Sequence, residues 1–224
     1  MTVSILMREV VNMSCSNITF LMAYIHRYET EQSLLDMLVS FRQYYPDEEL
    51  LIRLDSDDLR GKAKINELKE KFNIRTFIYN RWEGRYTIYL DYQYLFTQRN
   101  PNTKWIGFIT DDITFVRSML NELNDKYMII GDFKSEMTKE KLDKAFDSSS
   151  EFICAYPIVS AKLLEIVGNM GYQHNIDSTL GLINEMMYKQ CKIILAKHIP
   201  EFIIRNNVYR SEDYGHNITK SWQV

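Results

Sequence analysis

The stretch that decides the fold is Lys104 to Phe115, KWIGFITDDITF. It begins with a short, mostly apolar run, Trp105 to Ile109, which leads directly into Thr110-Asp111-Asp112. A run of this kind, bounded by polar residues, is typical of a strand that is buried on both faces of a helix-covered parallel sheet. Ligands of open α/β sheets bind at the carboxyl ends of the strands, so two adjacent carboxylates there indicate a candidate site for a hard cation and an anionic substrate. A second interpretation is that one aspartate caps a following helix and the other is solvated.

Upstream of this stretch, three apolar runs alternate with segments of helical periodicity. Strands are predicted over residues 18–24, 49–54 and 74–79, and helices from residue 30 or 31 to 45 and over residues 61–72 and 86–99. The second strand also ends in acid, at Asp55. Connections longer than about ten residues between the strands imply parallel pairing and right-handed βαβ units. The sequence therefore predicts α/β architecture.

Downstream of this stretch, the predicted elements alternate less regularly. They are helices over residues 115–123, 161–167 and 178–190, a solvated helix and loop over 134–150, strands over 127–132, 152–158 and 192–196, and a polar tail over 202–224. Pro157 interrupts the middle one of these strands. Because proline cannot donate a hydrogen bond to a neighbouring strand, we expect this strand to lie at a sheet edge or to bend.

The composition excludes several classes of protein. A formal charge of −3 over 224 residues does not suggest the basic stripe of a nucleic-acid-binding protein, so no nucleic-acid partner is expected. The 3 cysteines are odd in number and far apart, which indicates reduced thiols rather than a disulfide framework. No apolar run approaches the roughly 20 residues that span a bilayer, and the N-terminus has no clear signal peptide. We therefore expect a cytoplasmic protein without an integral membrane segment.

The order of the acidic strand ends resembles that of the GT-A glycosyltransferases, and among them the DxD-type, family 2-like enzymes. The matching segments are Ile18 to Arg27, Leu51 to Asp58, Trp105 to Ile113, Tyr156 to Ser160, Asp177 and His216. The resemblance implies a GT-A (Rossmann-like) fold, with a mostly parallel central sheet flanked by helices and a smaller acceptor-side region. It also implies a single domain over residues 1–224, with a nucleotide-sugar-binding half over about 18–132 and an acceptor-side half and C-terminal tail over about 133–224.

The activity that the resemblance implies is that of a glycosyltransferase of the hexosyltransferase type. Such an enzyme moves a sugar from a nucleoside-diphosphate sugar, with a UDP-sugar as the first expectation, to a hydroxyl group of a glycan or other acceptor. The expected cofactor is Mn²⁺ or Mg²⁺, and the expected stereochemical outcome is inversion. A divalent cation suits this chemistry because it neutralises the charge that develops on the leaving diphosphate. Hard cations prefer oxygen ligands, and Mn²⁺ also accepts imidazole.

The resemblance implies a role for each matching residue. Asp55 would read the base or the ribose, and Asp111 would contact the ribose or the donor sugar. Asp112 and His216 would bind the cation, and Asp177 would take the proton of the acceptor hydroxyl. The other nucleotide-sugar-binding residues are expected to be Ala23, Tyr24, Arg27, Arg81 and Arg85.

Other interpretations of these residues stay open. Asp177 is also typical of a plain helix N-terminus, and the segment with Arg81 and Arg85 is equally typical of a surface loop. Thr110 stands where many GT-A enzymes have the first aspartate of the motif, so a catalytically degenerate module that binds a sugar or a protein is a second hypothesis. A sugar nucleotidyltransferase is a third hypothesis. Against it, no glycine-rich loop follows the first predicted strand.

Overall fold

A computed structural model of the chain describes residues 17–26, 31–81, 88–124, 126–133, 138–144, 154–168 and 176–205. The strands are β1 (Ile18–Tyr24), β2 (Glu49–Asp55), β3 (Ile74–Tyr79), β4 (Trp105–Phe108), β5 (Ile113–Phe115), β6 (Ile129–Phe133), β7 (Cys154–Ser160), β8 (Ala196–His198) and β9 (Ile203–Arg205). The helices are α1 (Glu31–Tyr44), α2 (Leu59–Leu68), α3 (Ile88–Gln98), α4 (Lys139–Lys144), α5 (Ala161–Val167) and α6 (Ile176–Cys191), and a 3₁₀ turn covers Leu120–Glu122. None of the helices in these ranges combines the length and the apolar character needed to cross a membrane.

Seven of the strands form one sheet in the order β3-β2-β1-β4-β7-β6-β8. In this sheet β7 is antiparallel to its neighbours β4 and β6, and the other pairs are parallel. The strands β5 and β9 form a small antiparallel sheet. The mostly parallel α/β sheet predicted from the sequence is thus confirmed. Because β1 to β4 are parallel, their carboxyl ends meet at one edge of the large sheet, which we call the carboxyl edge.

Helices cover both faces of the large sheet, since successive side chains of a strand point to opposite faces. Phe20 and Met22 pack on one face with the buried sides of α1 and α2. Leu21, between them, packs on the other face with α3, α5 and α6. The strands β1 and β2 are buried over almost their whole length, as expected for a sheet that is covered on both sides.

Four aromatic rings pack together beside β4 and β5. The ring of Phe20 lies 5.0 Å from Phe41, 4.7 Å from Tyr45 and 5.8 Å from Phe115, measured between ring centroids. Edge-to-face and tilted pairs of this kind add about 0.5–1.5 kcal/mol to the stabilisation from buried area. Gly107 of β4 leaves room for Phe20, because a Cβ atom at this position would lie 2.4 Å from a ring carbon.

We expect Gly107→Ala to lower the free energy of unfolding by about 1–3 kcal/mol, because the added methyl group would overlap the Phe20 ring in a packed core. Urea unfolding followed by circular dichroism measures this change. The control is Val39→Ala on α1, where the side chain is 51% exposed and its truncation should change the free energy by less than about 0.5 kcal/mol. Equal effects of the two substitutions would contradict the tight packing of Phe20 against Gly107.

The helix predicted over residues 115–123 is wrong, because β5 and the 3₁₀ turn occupy this part of the chain. Contacts with α1 and the residue that follows it decide the conformation. The backbone N–H of Phe115 donates to the hydroxyl of Ser40 over 3.1 Å, and that of Met119 donates to the hydroxyl of Tyr45 over 3.0 Å. These two hydroxyl groups, together with the pairing of β5 with β9, replace the hydrogen bonds of a local helix.

Of the two alternatives predicted for the proline-containing strand, an edge position or a bend, the structure shows the bend. The strand forms β7, which lies between β4 and β6. The pairing of β7 with β6 shifts register between Ile130 and Asp132. At this bulge Tyr156 has a φ angle of 53° and Pro157 follows it. The bulge accommodates a residue without an N–H inside the sheet, so the predicted irregularity is present.

The last two strands also differ from the prediction. The strand predicted over residues 192–196 is β8 and begins later, and the polar tail contributes β9. The buried side chain of Asn184, on α6, accepts hydrogen bonds from the backbone N–H groups of Leu195 and Ala196 over 2.8 and 3.0 Å. These bonds hold the approach to β8 against α6. The helix itself begins at Ile176, so Asp177 lies in its first turn rather than before it.

Candidate functional site

The candidate site lies at the carboxyl edge of the large sheet. Parallel pairing places Tyr24 beside Leu54 and Asp55 beside Tyr79, so that β1, β2 and β3 end together. On the other side of β1, β4 delivers the turn with Asp111-Asp112 to the same edge. The acidic strand ends that the sequence indicates therefore share one edge.

Asp111 and Asp112 lie in the turn between β4 and β5, and both are half-buried. The hydroxyl of Thr110 donates a hydrogen bond to Oδ1 of Asp112 over 2.5 Å, which orients this carboxylate. Because a strand follows the pair, the alternative in which one aspartate caps a following helix is wrong. The turn thus places two carboxylates at the carboxyl edge.

Helix α3 supports this turn through Tyr92. The buried hydroxyl of Tyr92 donates a hydrogen bond to the carbonyl oxygen of Ile109, just before the turn, over 3.3 Å. Burial raises the pKa of this hydroxyl, and the negative charges of Asp91, Asp111 and Asp112 raise it further. Tyr92 therefore stays a neutral hydrogen-bond donor beside the two carboxylates of the turn.

Asp55, at the end of β2, is 1% exposed and lies between two arginines. Its Oδ1 forms an ion pair with Arg53 of the same strand, and its Oδ2 accepts a hydrogen bond from Nε of Arg81 over 3.0 Å. Nη2 of Arg81 also lies 3.7 Å from Asp57. Two of the predicted nucleotide-sugar-binding residues, Asp55 and Arg81, are thus in direct contact.

Asp58 joins two loops of the carboxyl edge. Its Oδ1 accepts a hydrogen bond from the backbone N–H of Gly61 as the N-cap of α2, and its Oδ2 accepts one from the backbone N–H of His26, both over 2.8 Å. The imidazole Nδ1 of His26 lies 3.2 Å from the hydroxyl of Tyr24. One carboxylate therefore fixes the segment after β1 against the segment after β2.

We expect Asp58→Ala to lower the free energy of unfolding by about 1–2 kcal/mol, since it removes a helix cap and leaves two backbone N–H groups without their acceptor. The matched control is the neighbouring Asp57→Ala, because the side chain of Asp57 is 68% exposed. That change should stay below about 0.5 kcal/mol. Urea unfolding measures the free energy of unfolding of both variants. If Asp57→Ala lowered it as much as Asp58→Ala, the role of Asp58 as the acceptor of two backbone hydrogen bonds would be contradicted.

The other predicted site residues divide into two groups. Tyr24 is buried in the core shared with α1 and α2, and Ala23 before it is half-buried. Outside the described residues lie Arg27, Arg85, His216 and the side chain of Asp177. The structure therefore brings together Ala23, Tyr24, Asp55, Arg81, Asp111 and Asp112, and their roles stay predictions.

The carboxyl edge offers Asp111 and Asp112 to a divalent cation. Within the described ranges there is no group of three or more His, Cys, Asp or Glu side chains that could hold a metal ion. Mg²⁺ is usually bound by one or two protein carboxylates together with water and substrate phosphates. The two carboxylates therefore fit a cation that arrives with the phosphates of a nucleotide better than one held by these protein groups alone.

The sequence patterns do not identify two residues that organise this edge, Arg53 and Tyr92. Arg53 interrupts the apolar run LLIRL of β2, and this interruption is the signal that could have identified it. Tyr92 is one of several tyrosines on α3, and nothing local distinguishes it from the others.

Solved structures identify the fold. No protein-family model and no curated protein matches the sequence. The mannosyltransferase PcManGT from Pyrobaculum calidifontis, in complex with GDP-Man and Mn²⁺, matches with a TM-score of 0.57 at 10% sequence identity, over 83% of this chain and 55% of that chain. The chain has the GT-A fold.

Two further solved structures resemble this GT-A chain. Residues 1–349 of S. aureus TarS, in complex with UDP, match with a TM-score of 0.55 at 8% identity, over 82% of this chain and 57% of that chain. The 4-diphosphocytidyl-2C-methyl-D-erythritol synthase from Anaerococcus prevotii matches with a TM-score of 0.52 at 12% identity, over 92% of this chain and 97% of that chain. The GT-A chain thus spans a little over half of PcManGT and of TarS 1–349, and almost all of the synthase. At these identities, the similarity concerns the fold alone.

Proposed function

We propose that this chain is a glycosyltransferase that transfers a sugar from a nucleoside-diphosphate sugar, with a UDP-sugar as the first candidate, to a hydroxyl group of a glycan or other acceptor. The observation that carries this proposal is the arrangement of Asp55, Arg81 and the Asp111-Asp112 turn along the carboxyl edge of a GT-A sheet. Carboxylates suit the N–H and hydroxyl donors of a nucleoside, and arginine suits a phosphate. The hexosyltransferase type is part of the same proposal.

Each side chain at the edge has a task in this proposal. Asp55 accepts hydrogen bonds from the base or the ribose, and Asp111 accepts them from the ribose or the donor sugar. Asp112 and His216 would hold Mn²⁺ or Mg²⁺, which when bound neutralises negative charge on the diphosphate. Arg81 is 59% exposed and can turn towards the phosphates, and we assign the same task to Arg27 and Arg85.

The transfer breaks the bond between the anomeric carbon and a diphosphate oxygen and forms a bond from that carbon to the acceptor oxygen. The acceptor hydroxyl gives its proton to Asp177 as it attacks, which is general-base catalysis. Attack opposite the leaving group inverts the configuration of the anomeric carbon. Asp177 lies in the first turn of α6, a helix that packs against β7, the neighbour of β4 in the sheet.

A thermal-shift titration with UDP, GDP, CDP and dTDP, each with and without Mn²⁺, tests the proposal. A ligand that binds the native state alone raises its stability by about 2.7 kcal/mol at a concentration of 100 Kd. We expect a metal-dependent increase in Tm with one of the nucleotides, and release of that nucleoside diphosphate when its sugar conjugate and an acceptor are supplied. The absence of a shift with every nucleotide would contradict the proposal.

A sugar nucleotidyltransferase is the second candidate, since one structural neighbour is a nucleotidyltransferase and the chain matches 97% of its length. Against it, residues 25–30, IHRYET, contain no glycine, although nucleotidyltransferases cradle a triphosphate in a glycine-rich loop at this place. Incubation with UTP or CTP and a sugar 1-phosphate separates the candidates. Release of pyrophosphate would favour the nucleotidyltransferase, whereas nucleotide binding without turnover would favour a binding module.

A further inference from the structure

A buried arginine lies directly behind the carboxylate that we propose for nucleotide recognition. Arg53 is 3% exposed, and its Nη1 forms an ion pair with Oδ1 of Asp55. On its other side, Nε of Arg53 lies 3.0 Å from Oδ1 of Asp91 on α3. Both carboxylates are buried as well. One guanidinium group therefore connects the end of β2 with a helix of the neighbouring layer.

Tyr79 completes this network. The guanidinium carbon of Arg53 lies 4.5 Å from the centroid of the Tyr79 ring, which is a favourable cation-π distance. The Tyr79 hydroxyl donates a hydrogen bond to Oδ1 of Asp91 over 3.3 Å. Arg53 is thus held by contacts from β2, β3 and α3, and its position is fixed before any ligand arrives.

The two arginines beside Asp55 differ in their freedom to move. Arg53 is buried and contacted by four residues, including the backbone carbonyl oxygen of Asn80, whereas the side chain of Arg81 is 59% exposed. In the proposed complex an N–H group of the ligand would replace Arg81 at Oδ2 of Asp55, while Arg53 keeps its ion pair with Oδ1. Arg53 is therefore the buried partner of this carboxylate, and Arg81 is the exposed one.

Stability alone does not explain a buried network of this kind. A buried ion pair is often no more stable than well-packed apolar residues of the same volume, although the removal of one partner costs about 3–5 kcal/mol. What such a network provides is a fixed direction for its groups. A carboxylate in a fixed direction accepts hydrogen bonds from ring N–H groups, which uracil, thymine and guanine have, and repels the ring acceptor that cytosine presents in the same place.

We propose that Arg53 is a positioning residue that sets the base selectivity of the nucleotide site by holding the carboxylate of Asp55 in one orientation. The inference rests on the proposed function, because it assumes that a nucleoside diphosphate binds at the carboxyl edge. It goes further by assigning selectivity to a residue that does not itself touch the ligand.

Arg53→Lys tests the inference, because lysine keeps the positive charge but lacks the planar fork that reaches both carboxylates. Isothermal titration with UDP, GDP, CDP and dTDP in the presence of Mn²⁺ gives the Kd ratio of the weakest to the tightest nucleotide. We expect Arg53→Lys to lower this ratio about tenfold, since it loosens a hydrogen-bonding group that discriminates between ligands. The affinity for inorganic pyrophosphate with Mn²⁺ should stay unchanged. If Arg53 only stabilised the fold, Arg53→Lys would not lower the Kd ratio between nucleotides while leaving the affinity for pyrophosphate unchanged.

Asp91→Asn is a second variant, which weakens the hold on Arg53 without altering Arg53 itself, and we expect a smaller decrease of the ratio. Arg75→Lys on β3 is the matched control, because Arg75 is 51% exposed and forms an ion pair with Glu49, and it should retain the wild-type ratio. An unchanged ratio in both folded test variants would overturn the inference and leave the proposed function standing. A wild-type protein that binds no nucleoside diphosphate would overturn both.

Discussion

Asp112→Ala should weaken Mn²⁺-dependent nucleotide binding by at least about 100-fold, while the protein stays folded. Changes in the groups that support metal ligands already reduce metal affinity by about 10–100-fold, and the loss of a ligand itself should cost no less. Asp112 and His216 are the two protein ligands that we propose for the cation, so Asp112→Ala removes one of the two. The half-buried position of Asp112 at the edge of the core makes a large loss of stability unexpected.

The measurement is the Kd of the best nucleoside diphosphate at a fixed concentration of Mn²⁺, with urea unfolding to confirm the fold. Asp132→Ala is the control, because Asp132 lies near the carboxyl end of β6 and its side chain is 44% exposed. If Asp112→Ala binds the nucleotide as tightly as the wild-type protein does, Asp112 is not a ligand of the cation.

Removal of the metal gives an independent comparison. In the wild-type protein, EDTA should weaken nucleotide binding about as much as Asp112→Ala does, because both remove the same cation from the complex. In Asp112→Ala, EDTA should have little further effect, since two changes that act through one interaction are not additive. A second large loss in the variant would mean that the cation is held elsewhere.

The first half of the fold could be predicted from local patterns. The strands β1 to β4 are short apolar runs, and the helices between them carry their own periodicity, so each element is specified by residues close in sequence. The late elements depend on distant partners. Ile113 pairs with Arg205 of β9, and Phe115 donates to Ser40 of α1, so no local window reports that residues 113–115 form a strand.

The candidate site was predictable to a similar degree. Asp55, Asp111 and Asp112 stand out because acidic residues directly follow buried strands, and the parallel pairing brings them to one edge. The groups that orient them are less visible in the sequence. Arg53, which pairs with Asp55, is held by Asp91 on a separate helix, and this contact depends on how α3 packs against β2.

Asp177→Asn should lower kcat by about 10²–10⁴-fold, which is the usual contribution of a positioned general base. Asparagine keeps the size and the hydrogen-bonding oxygen of aspartate, so the N-terminus of α6 should lose less than about 1 kcal/mol of stability from the missing charge. Initial rates at saturating donor and acceptor measure kcat, and urea unfolding measures stability. Glu165→Gln on α5 is the control, since Glu165 is 56% exposed and pairs with Arg99.

The outcome separates the two interpretations of Asp177. If it only supports the start of α6, Asp177→Asn should retain nearly full activity, because the missing charge costs less than about 1 kcal/mol of stability. If it is the base, activity falls while donor binding, measured with the nucleoside diphosphate, remains. The anomeric configuration of the product, followed by NMR from a donor of known configuration, decides the geometry. A base that activates the acceptor on the face opposite the leaving group yields inversion, so a retained configuration would exclude Asp177 from this role even if the variant were inactive.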